Sequence, residues 1–264
     1  MSTPCELLIY ADTKLLADTS ARAVLNEAKR LEKKYNYYNQ DSFLSALNSR
    51  RENLLDRETK TILSSAKRYY KLTNGIFDIT IATIKELYKT AQSKEELEQE
   101  KQRLLAFVGC EHFSIKKDKL SFDNEYTKID LGGFVKEYAV DRAVKVLQRS
   151  KISSALVNFG GDIYALGLKP NGEKFSIGIK DPNKPTQHAL SVELLDQALT
   201  TSASYERNYR VEESTFSHII STQESHSSAK SVTVVSKSCL ESGIYSTALM
   251  LDETLETSNR VIIL

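Results

Sequence analysis

Hydrophobic and polar positions along this chain follow two periods, and the period switches several times. Residues 6–10 read as a strand. Over 18–35, Ala21, Val24, Leu25, Ala28 and Leu31 return at helical spacing, which predicts a helix with one buried face, capped by Asp18 or Thr19. The Asn- and Tyr-rich stretch 35–39 suits a turn, after which Asp41 or Ser42 starts a short helix carrying Phe43, Leu44 and Leu47. A second long helix is predicted over 56–72, stopped by Asn74-Gly75. A third covers 95–107, with a capping box from Ser93 to Glu96. A hairpin over 112–122 turns at Lys117-Asp118.

The second half changes character. Residues 128–131 read as extended, and Gly132-Gly133 opens a helix to about 149 with Val135, Tyr138, Ala139, Ala143, Val144 and Leu147 on its apolar side. Strand patterns follow at 155–159, 163–168, 175–179, 189–194 and 231–236, then a helix over 238–250 and a closing strand over 260–264. The polar run from Ser221 to Ser228 reads as a loop. With no linker of biased composition and no repeat, the pattern predicts a single α+β domain over 1–264, with mixed β-sheets and packed helices.

Composition narrows the function classes. At 264 residues, 41% hydrophobic and 27% charged, the chain can bury a sizeable core. A net charge of +1 gives no bulk attraction to nucleic acid, and Lys116 and Lys117 read as a solvated turn. No apolar stretch is long enough for a transmembrane helix, and no basic-then-apolar leader opens the sequence. Cys5, Cys110 and Cys239 are scattered, which argues against a disulfide framework. Cys239 falls at a predicted helix start, where either a favoured thiolate or a small packed side chain fits. Four dispersed histidines do not form a zinc pattern, and His112, His188 and His226 read as surface residues.

Several separated segments together resemble one family, the FAD:protein FMN transferases. Met1-Ser2-Thr3, Asp41-Ser42 with Leu47-Asn48, and Gly75, Phe77, Asp78, Ile79 and Thr80 match its N-terminal blocks. Asp130-Leu131-Gly132-Gly133 with Lys136, Tyr138, Ala139 and Asp141 resembles its central signature, followed by Asn158-Phe159-Gly160-Gly161-Asp162-Ile163. Gly178, Asp181-Pro182, Thr201-Ser202, Tyr205-Glu206-Arg207, His218-Ile219-Ile220, Ser231 to Val234 and Ser246-Thr247-Ala248-Leu249 continue it in order.

The resemblance implies an enzyme that moves FMN from FAD to a threonine of an acceptor protein and releases AMP, assisted by Mg²⁺. It implies Asp162 and His218 as catalytic candidates. Met1, Tyr38, Ser42, Asp78, Asp130, Gly133, Lys136, Gly160, Gly161, Glu206, His218 and Ile219 are implied for FAD. Bland roles stand beside these: a turn or cap for Asp130, a helix cap for Ser42, ordinary packing for Tyr38, tight turns for the glycine pairs, and a salt bridge between Glu206 and Arg207. The family holds its metal with an Asp and a Thr four residues apart on one helix, plus a backbone oxygen near the Gly-Gly helix start. The Thr maps to Thr247, the backbone oxygen to Val135, and the Asp to Gly243, which has no side chain.

Three further positions depart from the family. Glu137 stands where it has a glycine, Ala82-Thr83 replaces Gly-Pro, and Ser221 to Glu224 replaces Asp-Pro-x-Thr-Gly. Glu137 repels phosphate if it faces inward and is harmless if it faces solvent. Glu241 either rescues the metal site or completes a capping box with Ser238. The alternatives to the transferase are a catalytically impaired FAD-binding homologue serving redox-complex assembly, an FAD hydrolase, and a structural module. The resemblance further implies a monomer or homodimer in a periplasmic or membrane-associated setting.

Overall fold

The computed structural model describes residues 4–204, 208–212, 214–217, 220, 222 and 227–264. The first half runs β1 (Cys5–Tyr10), α1 (Lys14–Tyr35), α2 (Phe43–Asn48), α3 (Arg57–Leu72), α4 (Ala82–Lys85), α5 (Leu87–Thr90), α6 (Lys94–Leu105), β2 (Phe113–Lys116) and β3 (Lys119–Phe122). The second half runs α7 (Gly132–Arg149), β4 (Ser154–Phe159), β5 (Asp162–Leu166), β6 (Phe175–Asp181), β7 (Lys184–Leu194), β8 (Gln197–Ala203), β9 (Asn208–Val211), β10 (Ser214–Ser217), β11 (Ser231–Ser236), α8 (Cys239–Leu249) and β12 (Arg260–Ile263). The fold is α+β, as the pattern predicts. Among the described residues no helix is long and apolar enough to cross a membrane.

A six-stranded antiparallel sheet in the order β1-β4-β5-β8-β11-β12 organises the chain. Strand alternation gives it two different faces. Ala155, Val157, Leu166, Ala198, Val232 and Val234 join the core built with α1, α7 and α8. Ala165, Leu199 and Val235 point the other way and pack against Phe175, Ile177, Val192 and Leu194 of the β6–β7 hairpin. Being covered on both sides, β11 is buried at all six positions, which explains its unbroken run of small and β-branched residues.

Several elements depart from the pattern. Helix α1 begins one turn earlier than expected, because the Thr13 side chain accepts the Leu16 N–H and caps it. Neither Asp18 nor Thr19 caps; the Thr19 hydroxyl donates to the Leu15 carbonyl inside the helix. Leu25, placed on the buried face by spacing, is 45% exposed, while Val24, Ala28 and Leu31 carry the contact. Strand β8 carries little bulky apolar character, and β9 and β10 fall where no strand was expected. Other signals hold: Ser93 caps α6 as read, and of Asp41 and Ser42 it is Ser42 that caps α2, while Asp56, read only as the helix start, caps α3. The Ser93–Glu96 box is shifted, for the Glu96 carboxylate accepts from Gln92 N–H rather than from the cap residue.

Helices α1 and α3 are tied by charge. Arg30 donates to both Glu27 and Glu58, and Lys34 donates to Glu58 at 2.9 Å. Burial pushes the Glu58 carboxyl up, but Arg30 and Lys34 outweigh it and hold it at about 2. Its folded value lies below the ordinary one near 4.5. The stability it contributes is therefore full above about pH 4.5 and disappears as pH falls toward 2. Denaturant melts at pH 7 and pH 3 should show Glu58→Gln costing roughly 1 kcal/mol at the higher pH and less than half as much at the lower.

Candidate functional site

Helix α7 carries the site. Asp130 precedes it, accepts the Gly132 N–H at 2.8 Å and an ammonium hydrogen bond from Lys85 at 2.5 Å. Asn48 clamps the approach from both sides, donating to the Ile129 carbonyl and accepting its N–H. Gly133 is non-helical (φ −90°, ψ 16°) and kinks the first turn, and a Cβ there would meet nothing within 4 Å. The backbone is thus accessible at Gly133, while the Gly132 N–H is held by Asp130 and those of Phe134 and Val135 by the Leu131 carbonyl.

One turn further in, Lys136 points at the sheet and pairs with Asp162, the first residue of β5. The β4–β5 hairpin sets that position. Phe159 pairs with Asp162, leaving Gly160 (φ 62°) and Gly161 (φ 94°) as a two-residue loop with both residues left-handed. Such a loop matches the strand twist and calls for glycine. Asn158 locks it by accepting the Gly161 N–H at 2.9 Å. The register turns Asp162, with Tyr164 and Leu166, to the helix-facing side. Asp162 is almost fully enclosed. Burial pulls the Lys136 ammonium down, yet Glu137 and Asp162 outweigh it and keep it firmly charged.

Glu137 faces inward. It is 5% exposed, its Oε1 lies 3.8 Å from Lys136 Nζ, and its Oε2 is buried without a hydrogen-bond partner. Burial first, and the Asp162 charge second, raise its carboxyl far above the ordinary range. An unmet buried oxygen of this kind costs roughly 1–3 kcal/mol, more when charged. Its Cγ sits 2.4 Å from where a Cβ on Gly243 of α8 would stand, so the two helices meet through a side chain on one and its absence on the other. Asp141, one turn on, accepts the Cys239 and Leu240 N–H groups at 2.7 and 3.1 Å and so caps α8 from α7. Burial outweighs those bonds and lifts it to about 6.

A line of hydroxyls joins α8 to β8. Thr200 bonds Ser242 at 3.0 Å, Ser202 bonds Ser246 at 2.9 Å and Thr247 at 3.3 Å, and Ser246 donates to the Gly243 carbonyl. Thr200 and Ser242 are residues that sequence reasoning missed, and Ser202 and Ser246 were read only as parts of matching segments. The signal was present: Thr200 and Ser202 share the alternation of Ala198, and Ser242 and Ser246 lie four apart on an otherwise apolar helix. Buried hydroxyls at core positions satisfy one another.

The structure gathers Lys136, Asp162, Gly160 and Gly161 around the β5 start, with Thr247 reached through Ser202 on β8. Val135 is buried in the first turns of α7. A second group surrounds Asp130: Lys85 binds it, and the neighbouring Glu86 pairs with Lys128. Tyr38 is 61% exposed, edge-on to Tyr37, with Lys89 donating to its hydroxyl at 2.9 Å. Ser42 is spent as the α2 cap. Asp78 accepts both the N–H and the hydroxyl of Thr80 at 2.7 Å and is raised mainly by burial. Met1, Glu206, His218 and Ile219 lie outside the described residues, as does most of the 221–228 run. Cys239 is no favoured thiolate: burial first, then nearby carboxylates, hold it as the thiol. The Glu241 Oε1 accepts from Asn259, and of the expected capping box the contact that forms is the Glu241 N–H to the Ser238 hydroxyl. A wide groove of about 780 Å³ between the end of α8 and residues 253–263 contains none of these groups.

Residues 1–260 match the sequence model of the ApbE family. The FAD:protein FMN transferase of Vibrio cholerae is 28% identical over 228 residues, covering 81% of this chain and 67% of that protein. The one from Treponema pallidum is 27% identical, covering 68% of this chain and 56% of that protein, so the chain spans between about half and two thirds of these relatives. Among solved structures, the apbe protein of Thermotoga maritima superposes with a TM-score of 0.86 at 25% identity, over 99% of this chain and 90% of that one. A Vibrio cholerae flavin transferase ApbE variant gives 0.79 at 25% identity, over 100% and 94%.

The contact between Glu137 and Gly243 is open to a double-mutant cycle. Gly243→Ala should lower unfolding free energy by about 1–3 kcal/mol, and Glu137→Ala in the same chain should recover most of it. In the same denaturation series Asp141→Ala, which strips two N–H groups at the α8 start of their acceptor, should cost roughly 1–2 kcal/mol.

Proposed function

Since this chain belongs to the ApbE family, we propose that residues 1–264 act as one unit that transfers the FMN half of FAD to a threonine hydroxyl of an acceptor protein and releases AMP. The observation that supports this most directly is the pair formed by half-buried Lys136 and buried Asp162 beside an accessible helix start. The named relatives are transferases, which leaves the impaired flavin-binding alternative without support.

In this reading the acceptor hydroxyl oxygen bonds to the phosphorus of the FMN half. The bond from that phosphorus to the bridging oxygen breaks, and AMP leaves with the bridging oxygen. The hydroxyl proton passes to the Asp162 carboxylate, which the β4–β5 turn and Lys136 hold on the helix-facing side. Lys136 stays charged throughout and offsets phosphate charge. Gly133 and Gly161 have open space where a Cβ would stand, so an anion can approach the backbone at both. Tyr38 presents an exposed ring for stacking on flavin. Asp78, Asp130 and Ser42 shape the surrounding turns, and Met1, Glu206, His218 and Ile219 remain candidates from the resemblance, His218 as a second catalytic group.

The residues present fit a magnesium ion. Among the described residues no three His, Cys, Asp or Glu side chains converge. Mg²⁺ needs no such cage, for it takes one or two carboxylate or hydroxyl oxygens together with substrate phosphate. The orphaned Oε2 of Glu137 and the Thr247 hydroxyl are oxygens of that kind, with the Val135 carbonyl a third candidate. When bound, the ion supplies neutralisation of charge on the phosphates.

AMP release from FAD should be measured with and without Mg²⁺, in the presence of a threonine-bearing acceptor domain, with acceptor mass read on the same sample. AMP and FMN-acceptor should form in equal amounts and only with metal. Asp162→Asn should slow transfer by about 10²-fold or more while FAD still binds. AMP without labelled acceptor would turn the reading to FAD hydrolysis, and FAD bound with neither product would defeat the enzyme reading.

A further inference from the structure

We infer that Glu137 supplies the carboxylate of a divalent-cation site between α7 and α8, filling from α7 the place that a side chain at 243 would occupy from α8. The inference rests on the flavin-transferase reading for the phosphate that completes the site.

Three observations carry it. The first is the interlock, in which Glu137 Cγ stands 2.4 Å from the Cβ position of residue 243 and takes its space. The second is the orphaned atom: Glu137 is 5% exposed and its Oε2 has no hydrogen-bond partner. Lys136 does not meet that need, since its ammonium pairs with Asp162 and is 3.8 Å from the other oxygen of Glu137. The third is the donor set. Thr247 lies four residues after Gly243, on the same face of α8, and shares a hydrogen bond with Ser202 at 3.3 Å. A carboxylate oxygen and a hydroxyl form a hard-oxygen set suited to Mg²⁺ or Mn²⁺. The other acid on α8, Glu241, is taken by Asn259.

The arrangement also accounts at once for two of the departures from the family pattern, those at 137 and 243. A glycine at 243 removes one carboxylate, and a glutamate at 137 restores one to the same volume from the neighbouring helix. A glutamate side chain is one methylene longer than an aspartate, which suits a reach from the adjacent element.

Mn²⁺ binding to the full-length chain, followed by loss of the free-ion electron paramagnetic resonance signal, tests this without relying on turnover. Titrations are run with and without FAD, whose own binding is read from flavin fluorescence. The wild type should bind one Mn²⁺ with FAD present, and Glu137→Gln should weaken it roughly tenfold or more while FAD affinity measured without metal is unchanged. The double variant Glu137→Gly with Gly243→Asp should regain the ion, whereas Gly243→Asp alone should not improve it. Circular dichroism establishes that each variant is folded. Equal Mn²⁺ affinity in wild type and Glu137→Gln, or no Mn²⁺ binding by the FAD complex, overturns the inference and leaves the transferase reading standing. Failure of the wild type to bind FAD defeats that reading, while Glu137-dependent Mn²⁺ binding without flavin would still uphold the cation site.

Discussion

Two carboxyl groups, those of Glu137 and Asp162, are buried between α7 and the start of β5, with the half-buried Lys136 ammonium beside them. Charges leave water at a cost of several kcal/mol each unless paired, and removing one partner of a buried pair exposes that cost in full. Much of the surrounding architecture is arranged around meeting it. The two-glycine loop delivers Asp162 at the right register, and the kink at Gly133 sets the entry of the helix that carries Lys136. Asp141, further along that helix, fixes where α8 begins.

The sheet divides labour between its faces. The face toward the β6–β7 hairpin is apolar and closes a small second core. The face toward α7 and α8 is apolar at its β1–β4 side, but becomes polar along β5 and β8, where Asp162, Thr200 and Ser202 take positions that alternation assigns to the interior. Those polar groups are met by Lys136 and by the α8 hydroxyls. A polar seam of this kind contributes little to stability compared with hydrocarbon, and its value lies in specifying how the two helices sit on the strands.

Much of this was legible in the residues. Helical spacing, caps at Ser42 and Ser93, and the Lys117-Asp118 turn gave most elements, because local chemistry decides them. Strand β8 was not legible, because its burial comes from neighbours rather than from bulky side chains of its own. Block matching drew attention to Asp162 and Lys136, and sequence also marked Glu137 and Gly243 as departures, but one at a time. That they fill one volume depends on the packing of two helices more than a hundred residues apart in the chain, which no local pattern encodes. The orientation of Glu241 depended likewise on Asn259, brought in by the segment before β12.

The shared volume at Glu137 and Gly243 ties the two positions together. With Glu137 in place, any larger residue at 243 collides with it; with Gly243 in place, shortening Glu137 leaves an empty hole and no carboxylate. Each residue makes enlargement or shortening at the other unfavourable, so neither position is free to vary alone. The two behave as one unit of sequence and are expected to change together or not at all.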